Sequence, residues 1–269
     1  MGGRGSYSYG GGSGATDTKG GKKLIIAGGG NGGPLPPENS SEGLQTKYER
    51  IGFEKLFGGD NVQNAVLGSY ADQLRRLERE FGAIENSKNA SVVVVNEKGT
   101  GTIAAVGFSP LDAADQTLYL NEAKLGKISE VAARQAERTS SGWSAANKGG
   151  LAENAYYSVT HEYGHMLHNA MYAKAKANGY TGTREQYVNE CNKAVEKIAR
   201  EKYGVKRKTD VSQYGGTNGR EKFAETFASS QLGGNTAMAK AMREWLKTLP
   251  YESGKPDRSI KFYQPKKAK

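Results

Sequence analysis

Apolar and polar positions change period several times along this chain, and each change marks an element. From Asp60 to Phe81, the residues Val62, Val66, Ser69, Tyr70, Gln73, Leu74, Leu77 and Phe81 approximate a 3.6-residue stripe. That stripe predicts a helix with Asp60 as its N-cap. Ser91 to Asn96 contains four successive valines, predicting a strand buried on both faces. Thr102 to Phe108 and Thr117 to Asn121 predict two more strands, with turns at Gly99, Gly101 and Pro110. Helical patterns follow at Ile128 to Arg138, Glu153 to Ala177, Arg184 to Lys202, Glu221 to Ser230 and Thr236 to Leu249. The order is a backing helix, a small mixed sheet, a long helix and a helical C-terminal part, which is an α+β arrangement. Thr117-Leu118-Tyr119-Leu120-Asn121 alternates polar and apolar positions. We assign it as an exposed edge strand, with Leu118, Tyr119 and Leu120 receiving an extended peptide through backbone hydrogen bonds.

The flanks have no such period. Residues 1–45 are rich in Gly, Ser, Pro and Asn and predict a flexible leader, with folding to begin near Lys47. Tyr7, Tyr9 and Arg4 among its glycines could hold an assembly partner weakly, but a plain spacer is the favoured reading. Residues 46–250 form the expected folded domain, and residues 251–269 a basic tail.

Composition narrows the function classes. The formal net charge is +10, but the lysines and arginines are scattered, with small clusters at Lys22-Lys23, Lys206-Arg207-Lys208 and Lys266-Lys267. No recognised nucleic-acid module accompanies them, so no specific nucleic-acid partner is expected. Cys191 is the single cysteine, which excludes an intrachain disulfide and a cysteine metal site. The apolar run Leu24-Ile25-Ile26-Ala27 is too short for a signal-peptide core or a membrane span. The expected location is the cytoplasm of the producing cell, a virion, or outside the cell by a route without a cleavable leader.

All 3 histidines lie within eight residues, and two frame His161-Glu162-Tyr163-Gly164-His165. On a helix, side chains four apart share one face, so both imidazoles of this H-E-x-x-H can reach one metal ion. Glu162 is then placed to face a water held at the metal's open position.

Catalytic zinc takes three protein ligands. The third is either His168 or an acid, since no other histidine exists. The metzincin extension H-E-x-x-H-x-x-G-x-x-H is excluded, because His168 stands at its glycine position and Met171 at its last histidine. Three ligands from one helix give poor tetrahedral geometry, which leaves His168 a supporting or cleft-rim role. Glu221 and Glu225 offer a better set: four apart on one helical face, with Phe223, Ala224, Phe227 and Ala228 to pack that helix. Their arrangement is similar to that of gluzincins, in which the first acid, here Glu221, binds the metal and the second, here Glu225, can accept the free N–H of a ligand histidine.

His161 to His165 followed by Tyr214-x6-Glu221-x-Phe223-Ala224-Glu225-x-Phe227-Ala228 resembles the gluzincin family of anthrax toxin lethal factor's catalytic domain and the Pro-Pro endopeptidases. The resemblance covers roughly Leu118 to Ala228. It implies a compact zincin fold, one zinc ion on His161, His165 and Glu221, and Glu162 as general base. It also implies that Tyr214 stabilises the tetrahedral intermediate and that Glu225 supports a ligand. The large domains through which lethal factor selects substrates have no counterpart here, so substrate identity does not carry over. The Gly-rich opening is similar in composition to segments of tailed-phage structural proteins.

The expectation is a zinc metalloendopeptidase that hydrolyses protein or peptide substrates by metal-activated water with a glutamate base. The competing expectation is a virion or assembly protein, such as a phage minor structural protein, whose zincin domain serves as a structural or binding module.

Overall fold

The 3.6-residue stripe before the sheet forms helix α2 (Asn64–Phe81) in the computed structural model. The structure describes residues 41–58, 64–87, 89–96, 98–99, 103–108, 115–206, 211–250 and 262–263. Asp60, Val62, Gly101, Pro110, Arg207, Lys208, the glycine-rich leader up to residue 40 and most of the basic tail lie outside these residues.

Upstream of α2 the structure has two elements that periodicity does not reveal, helix α1 (Ser41–Glu49) and strand β1 (Lys55–Phe57). Helix α1 starts within the span read as leader, and its Leu44 and Tyr48 are buried in the core. They are too few and too close to glycines to register as a stripe. At the other end, Phe262 and Tyr263 return from the basic tail to the core. There the Tyr187 hydroxyl donates to the Tyr263 carbonyl at 2.5 Å.

The remaining strands are β2 (Asn89–Val95), β3 (Ala104–Phe108) and β4 (Asp115–Asn121). They join β1 in a four-stranded mixed sheet of order β1-β2-β4-β3. Strands β1, β2 and β4 run parallel, and β3 pairs antiparallel to β4. The register aligns Leu56, Val92, Leu118 and Val106 in one row across the sheet. Leu56, Val92 and Leu118 of that row are buried.

Two expectations about the sheet need correction. Leu118, Tyr119 and Leu120 do not lie on an edge strand: β4 is enclosed between β2 and β3, and among the described residues the edges are β1 and β3. Alternation reports that one face of a strand is buried, here Gln116, Leu118 and Leu120, but says nothing about lateral neighbours. Nor is β2 buried on both faces. Ala90 and Val92 are buried, whereas Ser91, Val93 and Val95 are half-buried.

After a single 3-10 turn at Glu122–Lys124 come α3 (Ile128–Ser140), α4 (Leu151–Ala177), α5 (Arg184–Tyr203), α6 (Gly219–Gln231) and α7 (Ala237–Thr248). Helix α4 is central, in contact with α2, α3, α5, α6 and β3. From Val159 to Met171 every residue is buried. A helix covered all round requires small residues where neighbours come closest. Gly164 is that point: a Cβ there would stand 3.0 Å from Ala224 Cα and 3.2 Å from Phe227 Cδ1. Helix α6 is therefore drawn against the middle of α4. Its start is tied to α5, where Lys222 Nζ meets Glu196 Oε1 at 2.5 Å and Asn192 Nδ2 donates to the Gly219 carbonyl at 2.7 Å. No helix among the described residues is long and apolar enough to cross a membrane.

Candidate metal centre

His161 and His165 project from one face of α4, and Glu221 faces them from the first turn of α6. Asn218 fixes that turn, its side-chain oxygen accepting from the N–H groups of Arg220 and Glu221 at 3.0 Å each. Glu221 Oε2 lies 3.1 Å from His161 Nε2 and 3.2 Å from His165 Nε2, and the two Nε2 atoms are 3.1 Å apart. Corners of a tetrahedron about 2.0–2.1 Å from a central ion stand about 3.3–3.4 Å apart. The three atoms therefore match the ligand spacing of a small divalent ion, and this buried group could hold a metal ion.

The electrostatics point the same way. Burial by itself would lower the His161 pKa, but Glu221, Glu225 and Glu162 outweigh it and hold the imidazole well above its ordinary range. Burial would likewise raise the Glu221 carboxyl, yet His165 and His161 keep it far below the usual carboxylate range. The cluster thus favours a positive charge at its centre, whether proton or metal.

Glu162, adjacent to His161 and buried, is turned to β3, where the backbone of Val106 hydrogen-bonds its carboxyl group. Burial raises its pKa, His161 and His165 oppose the rise, and the balance leaves it above the ordinary carboxylate value. That is the direction a proton acceptor working near neutrality requires.

Tyr214 lies with its ring over His161, centroids 5.7 Å apart and planes inclined by 30°. Its phenol hydrogen-bonds Glu221, and burial together with the charges of Glu221 and Glu162 pushes its pKa far up, so it remains a donor. The turn at Gly215-Gly216 folds the tyrosine back over the start of α6, closed by Thr217 N–H to the Tyr214 carbonyl at 3.0 Å.

Glu225, one turn beyond Glu221, is 3.0 Å from His161 Nδ1 through Oε1, within ion-pair distance though out of line for a hydrogen bond. Its Oε2 accepts from the Ala145 N–H at 2.6 Å and the Ser212 hydroxyl at 2.7 Å. His168 is not part of the converging set: its Nε2 faces His165 Nδ1 at 3.3 Å.

All five residues assigned to metal and catalysis, with Glu225 beside them, thus meet at one place, whereas Leu118, Tyr119 and Leu120 do not reach it as an exposed edge. Four contributors escape sequence reasoning. Ser212 and the Ala145 N–H hold Glu225, Trp143 stacks on Tyr214 with centroids 5.6 Å apart, and Tyr157 is buried with its hydroxyl toward Glu225. Tyr157 stands four residues before His161, a same-face spacing that could have flagged it. A backbone N–H carries no such signal. Comparison with protein-family models, curated proteins and solved structures gives no match for this chain.

Proposed function

We propose that this chain is a zinc-dependent endopeptidase of gluzincin type, with a zincin-like catalytic unit similar to the lethal factor and Pro-Pro endopeptidase family. The observation that carries the reading is three metal-binding atoms within 3.2 Å of one another, with a buried, unligated carboxylate beside them. A purely structural zinc site closes its coordination and has no use for such a base. Zinc bound there supplies Lewis-acid polarisation and acidifies water.

The chain's own groups account for the proton movements. Glu162 accepts the proton of the attacking water and returns it to the leaving amine nitrogen as the peptide C–N bond breaks. Burial, which raises its pKa above the ordinary carboxylate value, favours its taking up that proton. Tyr214 exchanges its hydrogen bond from Glu221 to the developing oxyanion, a donor already oriented by its stacking on His161 and Trp143. Strand β3 has a free lateral edge among the described residues and contacts α4, so it is β3 that offers backbone groups to an extended substrate.

The deciding experiment measures zinc content and cleavage of a diverse peptide library for wild type and Glu162→Gln. The expected result is about one zinc per chain in both proteins, with hydrolysis reduced about a thousandfold in the variant. A variant as active as wild type would overturn the proposed base. A zinc-loaded wild type that cleaves nothing would favour the assembly-module reading instead.

A further inference from the structure

The two histidines of the cluster are supported differently behind their Nε2 atoms. His161 Nδ1 faces the carboxylate of Glu225, whereas His165 Nδ1 faces another imidazole, His168 Nε2, at 3.3 Å. We propose that His168 is the positioning residue of this centre, fixing the tautomer and ring orientation of His165 as a neutral acceptor. The inference rests on the reading of the cluster as a metal centre.

If His165 Nε2 binds metal through its lone pair, the ring's only proton is on Nδ1. That proton points at His168 Nε2, which must then present a lone pair, so the proton of His168 is on its Nδ1. The spacing of three residues places both rings on one face of α4. His168 is fully buried, and Phe223 of α6 packs edge-on against it, with centroids 5.6 Å apart and planes at 80°. Its ring is therefore held in place and not shared with solvent.

Helix α6 consequently acts on both ligands: Glu225 supports His161 directly, and Phe223 supports His165 through His168. The neutral acceptor has a physical rationale. Glu162, Glu221 and Glu225 already place three carboxylates around the centre, and a fourth behind His165 would add another buried negative charge. An imidazole accepts the same hydrogen bond without that charge.

The test uses the full chain and two substitutions with opposite consequences. His168→Gln can place an amide oxygen near the position of Nε2, whereas His168→Leu fills the space without an acceptor. Zinc affinity is measured by competition with a chelator, and metal-free circular dichroism and melting temperature check each fold. The expected result is a loss of about ten- to a hundredfold in zinc affinity for His168→Leu, with His168→Gln within about threefold of wild type. Equal affinity for wild type and His168→Leu, or equal losses in both variants, would overturn the proposal.

Nitrogen-15 NMR of the zinc-loaded wild type needs no variant, and with 3 histidines the assignment is direct. Protons on Nδ1 of both His165 and His168 are expected; a proton on His168 Nε2 overturns the assignment. A wild type that binds no zinc sinks the metal-centre reading and this one together. A wild type that binds zinc without hydrolysis sinks the peptidase reading alone.

Discussion

Glu162 and Tyr163 are consecutive residues of α4, yet they face two buried polar clusters of opposite character. On the Tyr163 side, the Glu78 carboxylate accepts from the Ile84 N–H at 2.9 Å, the Glu85 N–H at 2.8 Å and the Tyr163 hydroxyl at 2.7 Å. The Ala83 N–H then donates to the Tyr163 oxygen at 3.2 Å. Every acceptor there has a donor. On the Glu162 side, two imidazole nitrogens and a carboxylate oxygen crowd within 3.2 Å of one another, and which ring donates depends on its tautomer. A satisfied cluster fixes helix α4 to the end of α2; a converging His-His-Glu group favours positive charge at its centre and could hold a metal ion. Their difference shows how one helix can bury a fully paired carboxyl group on one face and a candidate metal-binding group on the other.

The contrast is broken most severely by Glu221→Ala. It leaves two ligands of three, and zinc affinity should fall by more than the roughly hundredfold that loss of an outer partner causes. Zinc retained at wild-type affinity, measured against a competing chelator, would mean that Glu221 is not the third ligand. Next in size is Tyr214→Phe, which keeps the ring stacked on His161 and removes one hydroxyl. We expect kcat to fall about a hundredfold with zinc content and KM little changed. A fall below about threefold would return Tyr214 to a packing role.

Gly164→Ala acts on the join between the two faces. The added methyl meets the Ala224 backbone at 3.0 Å, so α6 must retreat or α4 must bend. A stability loss of about 1–3 kcal/mol in denaturant melts is expected, together with weaker zinc binding because Glu221 moves with α6. Unchanged zinc affinity would uncouple that helix contact from the ligand geometry.

The smallest functional effect belongs to Tyr163→Phe. It deprives buried Glu78 of one donor and should cost about 1–3 kcal/mol of stability. Zinc affinity should remain within about twofold, because the anchor and the centre use opposite faces of α4. A tenfold loss of zinc would show that the clusters are coupled. Glu78 also carries a pH signature. Burial raises its carboxyl pKa above the ordinary value. The unfolded chain therefore releases that proton first as pH rises, and this group's contribution weakens the fold between its unfolded and folded pKa values.

What is local was legible in the residues themselves. His161, Glu162 and His165 share a helix, and their spacing alone puts both imidazoles on one face. The amphipathic period located α2, and the burial of Phe223, Ala224, Phe227 and Ala228 follows the apolar positions of α6. Glu221 and Glu225 were legible because a second pair four apart accompanied the first. Short or glycine-flanked elements such as α1 and β1 gave too few apolar positions to show a period.

Tertiary structure alone decided which strand forms the edge, because alternation in Thr117–Asn121 is the same for a strand with one lateral neighbour or two. It also decided that Ser212 and the Ala145 N–H hold Glu225, and that His168 faces His165 rather than the ligand set. The physical reason is range. Side-chain period is set by backbone geometry within a few residues, while lateral pairing and hydrogen-bond partners depend on which distant surfaces are pressed together. Here α6 comes close to α4 at Gly164, and its first turn carries Glu221 to His161, sixty residues before it.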